Sequence, residues 1–412
     1  MWGGDVITRP TRARLLLGAV VVLIAGATLF PAGAPLDREF GCVICGDRGI
    51  ADAINNVILF TPFGIALALA GARPRRAVLY GTLFSAVVEL IQLGIPSRDP
   101  SLGDVILNAT GSIGGWALAA SWSVWLRPGR RAAAWLSAGA GAAFLATITA
   151  TGLLLAPSYP RTTYFAQWTP NLGNMEWYRG RVLEAHIGRL PLPSHELPRS
   201  HSVRSALLRG DSLAIVAVAG PPPAGISSLF SIADDAQRQI LLLGPDQSDL
   251  VYRYRTRAAD VRLDRLQIRL DDMLDDVAAG DSLRVTLWQD ARGFSCVRVN
   301  ARERCGLGFD ATAGWALLFF PDDLPGALLR LAGVSWIGLL ALPFGFWARP
   351  GPLPAAGGIL LVLALTAVPP LTGLLPTPVE AWVGLAAGIG AGMGLWRVAV
   401  LGHRQSAIGS RA

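Results

Sequence analysis

Three apolar stretches in the amino-terminal third of the sequence each carry polar residues at i, i+3 or i, i+4 spacing. Within one stretch, these polar side chains therefore share a single helix face. The residues are Asp52, Asn55 and Asn56 in the first stretch, Glu89 and Gln92 in the second, and Asp104 and Asn108 in the third. Carboxylates and amides can bind hydroxyl, amine or amide groups, and a carboxylate can also act as a general acid or base.

An arginine accompanies these polar residues. Arg98 lies in the turn-rich segment 94–101, between the second and third stretches. A guanidinium group binds phosphate with two parallel hydrogen bonds, so the whole set suits an anionic or glycan-bearing headgroup. The alternative is structural: Glu89 would pair with Arg98, Asp104 would cap its helix, and the amides would join helices.

The stretches that carry these residues are of membrane-spanning length. Crossing the hydrocarbon core takes about 20 apolar residues at 1.5 Å per residue. Eight segments are predicted to span a membrane, at residues 15–32, 53–72, 77–93, 102–126, 132–156, 324–348, 353–375 and 379–401. With 52% hydrophobic and 16% charged residues and a mean hydropathy of +0.44, the 412-residue chain is neither a soluble globular enzyme nor a disordered protein.

The basic residues predict the orientation. All 36 are arginine, and nine of them lie before the first span and in the short segments after the second and fourth. The positive-inside bias assigns those segments and both termini to the cytoplasm. The polar residues then lie at the outer leaflet, and residues 157–323 lie outside the membrane. Although the net charge is +7, this distribution favours membrane lipids over nucleic acid as the partner.

The first apolar segment has a second interpretation. It follows a basic region and precedes Ala32, Gly33 and Ala34, which resemble a signal-peptidase site. The segment is therefore either the first membrane span or a cleaved signal peptide. We favour a span, because the following helix has to begin on the outer side.

Residues 157–323 have a different pattern, with short apolar runs divided by turn residues. This pattern predicts an all-β sandwich outside the membrane. The runs are 213–218, 229–232, 240–243, 250–255, 266–270, 283–288 and 315–320.

The four cysteines all fall on the predicted outer side, where disulfides persist. Cys296 and Cys305 flank two short segments around Asn300 and Ala301. A hairpin with a two-residue turn would bring the two cysteines opposite each other, so we expect a disulfide. Cys42 and Cys45 form either a small loop disulfide or two free thiols.

Metal and cofactor sites are not expected. His195, Glu196 and His201 could contribute metal ligands, but no complete ligand set accompanies them, so a solvated loop is the favoured interpretation. Cys42 and Cys45 have the spacing of a redox motif, but they lack a thioredoxin-like βαβ setting and a second cysteine pair close in sequence for zinc. No nucleic-acid partner is expected.

The amino-terminal spans resemble a known family, the VanZ-like membrane proteins, over about residues 14–126. The matching segments are 55–64, 85–92, 97–98 and 104–111. The resemblance implies a role in the cell envelope, and the family's biochemical activity is poorly defined. Its signature falls on Asn56, Glu89, Gln92, Arg98, Asp104 and Asn108.

The β-rich segment resembles concanavalin A-like and laminin G-like jelly rolls, through residues 230–234, 239–244 and 280–287. This resemblance implies a β-sandwich that either binds glycans or serves as a spacer. The small residues Gly111 and Gly115, and likewise Gly384, Gly388 and Gly392, predict close helix packing.

These observations predict a multi-pass α-helical protein of the bacterial inner membrane with an inserted extracytoplasmic jelly-roll domain. Its parts are a VanZ-like bundle at 1–131, a fifth span at 132–156, the sandwich at 157–323 and three closing spans at 324–412. The expected function is binding of a lipid-linked glycan or peptidoglycan precursor, with carbohydrate at the sandwich. A membrane enzyme using Glu89 or Asp104 as acid or base is the alternative, and a transporter is the third possibility.

Overall fold

The computed structural model describes residues 9–30, 44, 46–95, 101–173, 175–320 and 324–409, with only the backbone for residues 9, 10 and 400–409. The chain forms two compact units, Met1–Leu136 and Ser137–Ala412. The boundary between them falls inside a long helix, Arg130–Leu155. Cys42, Cys45 and Arg98 lie outside the described residues.

The first unit is helical. Its helices are α1 (Arg9–Leu29), α2 (Gly49–Leu69), α3 (Pro74–Gln92), α4 (Leu102–Ala120), α5 (Trp122–Leu126) and the beginning of α6 (Arg130–Leu155). Pro74 opens α3, where the missing N–H costs nothing. The predicted span 102–126 is interrupted at Ser121, whose hydroxyl donates to the backbone oxygen of Ala117.

Helices α2 and α4 approach each other through glycine. A Cβ atom on Gly111 would lie 2.4 Å from the Val57 oxygen, and one on Gly115 would lie 1.9 Å from the Thr61 oxygen. Any side chain at these positions would force the two backbones apart. The predicted small-residue packing of this helix is therefore confirmed. Helix α1 completes the bundle through a core of Val20, Ile24, Phe60, Phe63, Leu67 and Ala77.

The second unit contains a β domain of two sheets. Its strands are β1 (Tyr164–Trp168), β2 (Arg181–Ile187), β3 (Leu190–Pro191), β4 (Leu213–Val218), β5 (Phe230–Asp234), β6 (Gln239–Asp246), β7 (Asp249–Tyr254), β8 (Ile268–Leu270), β9 (Ser282–Gln289), β10 (Ser295–Val299) and β11 (Arg302–Leu307). One sheet has the order β1-β5-β6-β7-β8 and the other β11-β10-β9-β4-β2-β3. The pairs between these strands are antiparallel.

The burial of the strands shows how the two sheets pack. Strand β4 alternates between buried and half-buried residues, as expected for a strand with one face on the core. Strand β5 is buried along its whole length, so both of its faces are covered. The core includes Phe230, Ile232 and Leu243 from one sheet and Ile215 and Val285 from the other.

Six of the seven predicted apolar runs overlap strands β4 to β9. The seventh, 315–320, was wrong as a strand, because Ala311–Leu317 forms a 3-10 helix. The side chain of Asp310 accepts a hydrogen bond from Thr312 N and starts this turn. The domain also contains helices α7 (Ser200–Arg209) and α8 (Arg257–Asp260), so it is not entirely β. The two-sheet architecture is present, and the jelly-roll connectivity stays a prediction.

Strands β10 and β11 form a hairpin around Asn300 and Ala301. Asn300 has φ = 50°, a left-handed conformation that asparagine tolerates better than most residues. Cys296 and Cys305 are joined by a disulfide across this hairpin. Because Cys296 is buried within the sheet, the bond ties the edge strand to the domain core.

The chain closes with helices α9 (Gly326–Trp347), α10 (Pro352–Thr366), α11 (Val368–Thr372) and α12 (Val379–Gly409). Helices α9 and α12 also approach through glycine: a Cβ on Gly388 would lie 2.1 Å from the Gly338 oxygen. Gly384 and Gly392 make equally close contacts with α9, so the predicted packing is confirmed here too. Together with α6, these helices enclose a core that includes Phe144, Ile148, Ile337 and Leu361.

Among the residues that the structure describes, five helices are long and apolar enough to cross a membrane: Thr11–Leu29, Gly49–Leu69, Arg130–Leu155, Gly326–Trp347 and Val379–Ala399. Helices α3 and α4 each have 19 residues but carry charged and polar side chains. Helix α10 has only 15 residues, because the chain breaks near Pro369 and Pro370 and continues as the short α11. The count of eight spans stays a prediction.

The α2–α4 contact predicts a position-specific effect of adding one methyl group. Gly115→Ala should lower the free energy of unfolding by about 1–3 kcal/mol, the usual cost of overpacking, since its Cβ would overlap the Thr61 oxygen. Gly114→Ala is the matched control, because a Cβ there meets nothing within 4 Å. Thermal unfolding of both variants in the same detergent measures the difference. Equal melting temperatures would contradict the packing.

Candidate functional site

The polar residues of the first unit meet at one end of the helical bundle. This end is formed where α2 begins, α3 ends and α4 begins. We call it the polar end and define it by Asp52, Asn55, Asn56, Glu89, Gln92, Asp104 and Asn108. Hydrogen bonds between the helices bring several of these side chains together.

A hydrogen bond joins α2 to α4 at the polar end. Asn56 Nδ2 donates to Asp104 Oδ1 at 2.6 Å. Both residues are half-buried, and a bond to a carboxylate in such a setting is stronger than one between neutral groups. The predicted i, i+4 faces therefore do meet across the two helices. This contact gives Asn56 a clear structural role.

Glu89 binds a backbone N–H group at the amino-terminal end of α4. Its Oε2 accepts a hydrogen bond from Ser101 N at 3.0 Å, and the Ser101 hydroxyl in turn accepts from Gly103 N at 3.0 Å. The first N–H groups of a helix have no partners within the helix, and a negative charge there is favoured by the helix dipole. Glu89 is thus held in place at the junction of α3 and α4.

Asn108 lies deepest in the set and is only 3% exposed. Its Nδ2 donates to Ser85 Oγ at 2.9 Å, which joins α4 to α3. Within the part of the chain that the structure describes, Asn108 Oδ1 is buried without a hydrogen-bond partner. Turning the amide over would leave the nitrogen unpaired instead. Leaving such a group unpaired costs about 1–3 kcal/mol.

Gln92 connects the polar end to the first helix. Its Nε2 donates to the Thr28 oxygen at 2.9 Å, and Gln92 is itself only 8% exposed. The Thr28 oxygen belongs to the last turn of α1, where backbone oxygens lack partners within the helix. Gln92 therefore caps α1.

Two further predicted residues, Asp52 and Asn55, lie near the start of α2. Asp52 is exposed in the first turn of α2, and Asn55 is half-buried beside it. The predicted phosphate contact, Arg98, lies outside the described residues. The structure therefore does not test the full predicted set as a ligand site.

Two serines belong to this network and were missed by the sequence analysis. Ser85 accepts from Asn108, and Ser112 Oγ donates to the Asn108 backbone oxygen at 2.9 Å. Both serines are fully buried. Ser85 lies four residues before Glu89 and Ser112 four residues after Asn108, so helical spacing was the signal that could have identified them.

The residues considered as metal ligands lie in different local structures of the β domain. Glu196 forms an isolated β-bridge with Phe165, next to strand β1. His201 lies in α7. Among the described residues, no group of three or more His, Cys, Asp or Glu side chains could hold a metal ion.

Comparison with known proteins finds a family match for the helical bundle. Residues 19–125, about a quarter of the chain, match the family model VanZ/LLP1. The VanZ-like resemblance is thereby confirmed for the bundle that carries the polar end. No concanavalin A-like family model matches the β domain. No curated protein and no solved structure matches the chain. The apolar helices and the family match indicate a membrane protein of the cell envelope.

The contact between Asn108 and Ser85 predicts energetic coupling between α3 and α4. Interhelical hydrogen bonds in membrane proteins contribute about 0.6 kcal/mol on average and up to about 1.7 kcal/mol. A double-mutant cycle of Ser85→Ala and Asn108→Ala, followed by denaturant unfolding in micelles, should give a coupling energy in this range. Strictly additive single effects would show that the bond does not stabilise the bundle.

Proposed function

We propose that this protein binds a lipid-linked glycan or cell-wall precursor in the bacterial inner membrane, through the polar end at the outer leaflet. The β domain would lie outside the membrane and bind carbohydrate. Both termini would be cytoplasmic. Arg98 would contact phosphate, while Glu89 and Asp104 would accept hydrogen bonds from the ligand.

The observation that carries this proposal is the buried, unpaired amide atom of Asn108. Polar residues inside a membrane are costly and tend to mark functional interiors. A group that only joined helices would have its hydrogen-bonding capacity satisfied by those helices. An unpaired group below two carboxylates is better explained by a ligand that approaches from the polar end.

The charges on Glu89 and Asp104 support the same interpretation. The contacts of these residues with Ser101 and Asn56 need only an oxygen acceptor, which a neutral amide would also supply. An ionised carboxylate is more expensive than an amide in a membrane protein. Charged groups at such a position tend to mark functional interiors, so we infer that the two carboxylates serve a ligand.

The arrangement of the arginines supports the proposed orientation. Helix α3 begins with Arg75 and Arg76 and ends with Glu89 and Gln92, so basic and polar residues occupy opposite ends of one helix. The positive-inside bias places the arginine end in the cytoplasm. The polar end would then face outward.

An enzyme is the alternative that the same residues allow. Ser101 N holds Glu89 in position and Asn56 Nδ2 holds Asp104, and general acid–base chemistry also requires a positioned carboxyl group. A transporter needs a polar path through the whole bilayer. The polar residues defined here occupy one end of the bundle, which favours binding over transport.

The proposal predicts that removing the two charges abolishes ligand retention without unfolding the protein. The double variant Glu89→Gln, Asp104→Asn keeps an oxygen acceptor at both positions, so it should still fold, with a melting temperature lowered only by the loss of the two charge-assisted contacts. Its affinity for the ligand should fall about tenfold or more, because hydrogen bonds to charged groups contribute about 1.5–3 kcal/mol. Glu380→Gln, an exposed acid in the first turn of α12, is the control.

Native mass spectrometry of each protein, extracted with its own lipids, measures the outcome. We expect a glycan-bearing lipid on the wild type and the control, and its absence from the double variant. Identical bulk phospholipids on all three proteins would contradict the proposal. If the glycan-bearing lipid stays bound to the double variant but is no longer converted, the enzyme alternative replaces the binding role.

A further inference from the structure

A cleft of about 160 Å³ lies in the second unit, between the β domain and the ends of two helical segments. One side is formed by the last turn of α6 and by the segment that follows α11. The other side is formed by strands β7 and β9 and the chain around Phe309. Its lining includes Tyr159, Tyr252, Tyr254, Gln289, Phe309 and Thr372.

The walls of this cleft are tied directly to each other. Leu375 N donates to the Phe309 oxygen at 2.8 Å, which joins the helical segment to the β domain. A Cβ atom on Gly152 of α6 would lie 2.2 Å from Thr372 Oγ1, so α6 and the end of α11 are in close contact. The cleft is therefore part of the fold and does not depend on a loose loop.

Two tyrosine hydroxyl groups at the cleft lack protein partners. In the described residues, the hydroxyls of Tyr159 and Tyr254 make no hydrogen bond to another side chain or to the backbone. Neither hydroxyl atom is fully buried, so both are open to a ligand in the cleft. Burial raises the pKa of Tyr159 and of Tyr254, so both groups stay protonated at neutral pH and can donate as well as accept.

The chemistry of the lining excludes a charged ligand. None of the described side chains that line the cleft is ionised at neutral pH. A phosphate or carboxylate buried here would have no cation to pair with, which is strongly unfavourable. The hydroxyls and the Gln289 amide both donate and accept hydrogen bonds, as sugar hydroxyls also do.

The apolar part of the lining is aromatic. The rings of Tyr254 and Phe309 lie 5.8 Å apart between centroids, and those of Tyr252 and Tyr254 lie 5.5 Å apart. Aromatic faces offer an apolar surface beside the polar groups. A sugar ring has the same combination, with apolar C–H faces and hydroxyl groups at its edge. A cavity of about 150 Å³ is large enough for one six-membered ring.

We propose that this cleft binds one neutral sugar ring. The site deepens the carbohydrate-binding part of the proposed function and rests on it, while it shares no residue with the polar end. The ends of α6 and of the segment before α12 would lie at the outer membrane surface. The sugar could therefore belong to a glycolipid headgroup or to a free glycan, and both have the chemistry that the cleft recognises.

The test uses the full chain in nanodiscs of phosphatidylethanolamine and phosphatidylglycerol, prepared without sugar-headed detergents, since these would compete for the cleft. Saturation-transfer difference NMR is recorded with the methyl glycosides of glucose, galactose, mannose and N-acetylglucosamine, and with methyl glucuronide as the charged comparison. A second arm replaces part of the lipid with a neutral glycosyl diacylglycerol and asks whether it displaces the bound glycoside.

Gln289→Ala and Tyr254→Phe should each weaken binding of a neutral glycoside about two- to tenfold, the loss expected for one hydrogen bond. Gln289 is exposed, so its replacement leaves the core intact. Gln167→Ala, in strand β1 and away from the cleft, is the control and should bind as the wild type does. Displacement by the glycolipid would identify a lipid-attached sugar, and its absence a free glycan.

The possible results distinguish a failure of the cleft proposal from a failure of the proposed carbohydrate-binding role. Neutral-glycoside binding that is weakened by both cleft variants supports the site. If a glycoside binds equally well to Gln289→Ala, Tyr254→Phe and the wild type, this cleft is not the binding site. The domain would then bind carbohydrate at another place. If methyl glucuronide binds best, the proposed preference of the cleft for a neutral sugar is wrong. If no glycoside and no glycolipid binds to the wild type, both the cleft and the carbohydrate-binding role fail.

Discussion

The close approach of α2 and α4 is the constraint on which the amino-terminal bundle depends. Gly111 and Gly115 let the two backbones meet at distances that no side chain would permit. Only at this separation can a short side chain such as Asn56 reach Asp104 on the opposite helix. In a membrane, where apolar contact alone does not drive helices together, such packing and the hydrogen bonds it allows hold the bundle.

The side chains of the polar end join helices by hydrogen bonds, but this hydrogen bonding is incomplete. Most of its described side chains satisfy backbone or side-chain groups of a neighbouring helix: Gln92 serves α1, Glu89 serves α4, and Asn108 reaches Ser85 on α3. Asn108 also keeps one buried polar atom without a partner. In a low-dielectric environment this imbalance is costly, so the residue is better suited to receive a ligand than to act as a helix bridge alone.

Much of this architecture was accessible from the sequence because it follows from hydropathy and spacing. Apolar length located the helices, and the polar spacing in α2, α3 and α4 predicted one shared end. The Asn300 turn between Cys296 and Cys305 predicted the hairpin.

Other features depend on partners distant in sequence. Strand β2 alternates imperfectly because its pairing register with β4 shifts between Val182 and Glu184. Helix α7 buries only Val203, Ala206 and Leu207, too few to distinguish it from a loop. Which polar groups pair across helices, and which stays unpaired, follows from backbone separations that no local pattern encodes.

Photo-crosslinking in growing cells tests the central claim most directly, which is that the polar end faces the outer leaflet and meets a glycan-bearing lipid. A photoreactive residue would replace Leu102, exposed at the start of α4, or Trp122, exposed in α5 beyond its other end. The account predicts a glycan-bearing lipid adduct from position 102 and ordinary phospholipid from position 122. The same phospholipid adducts from both positions would contradict it.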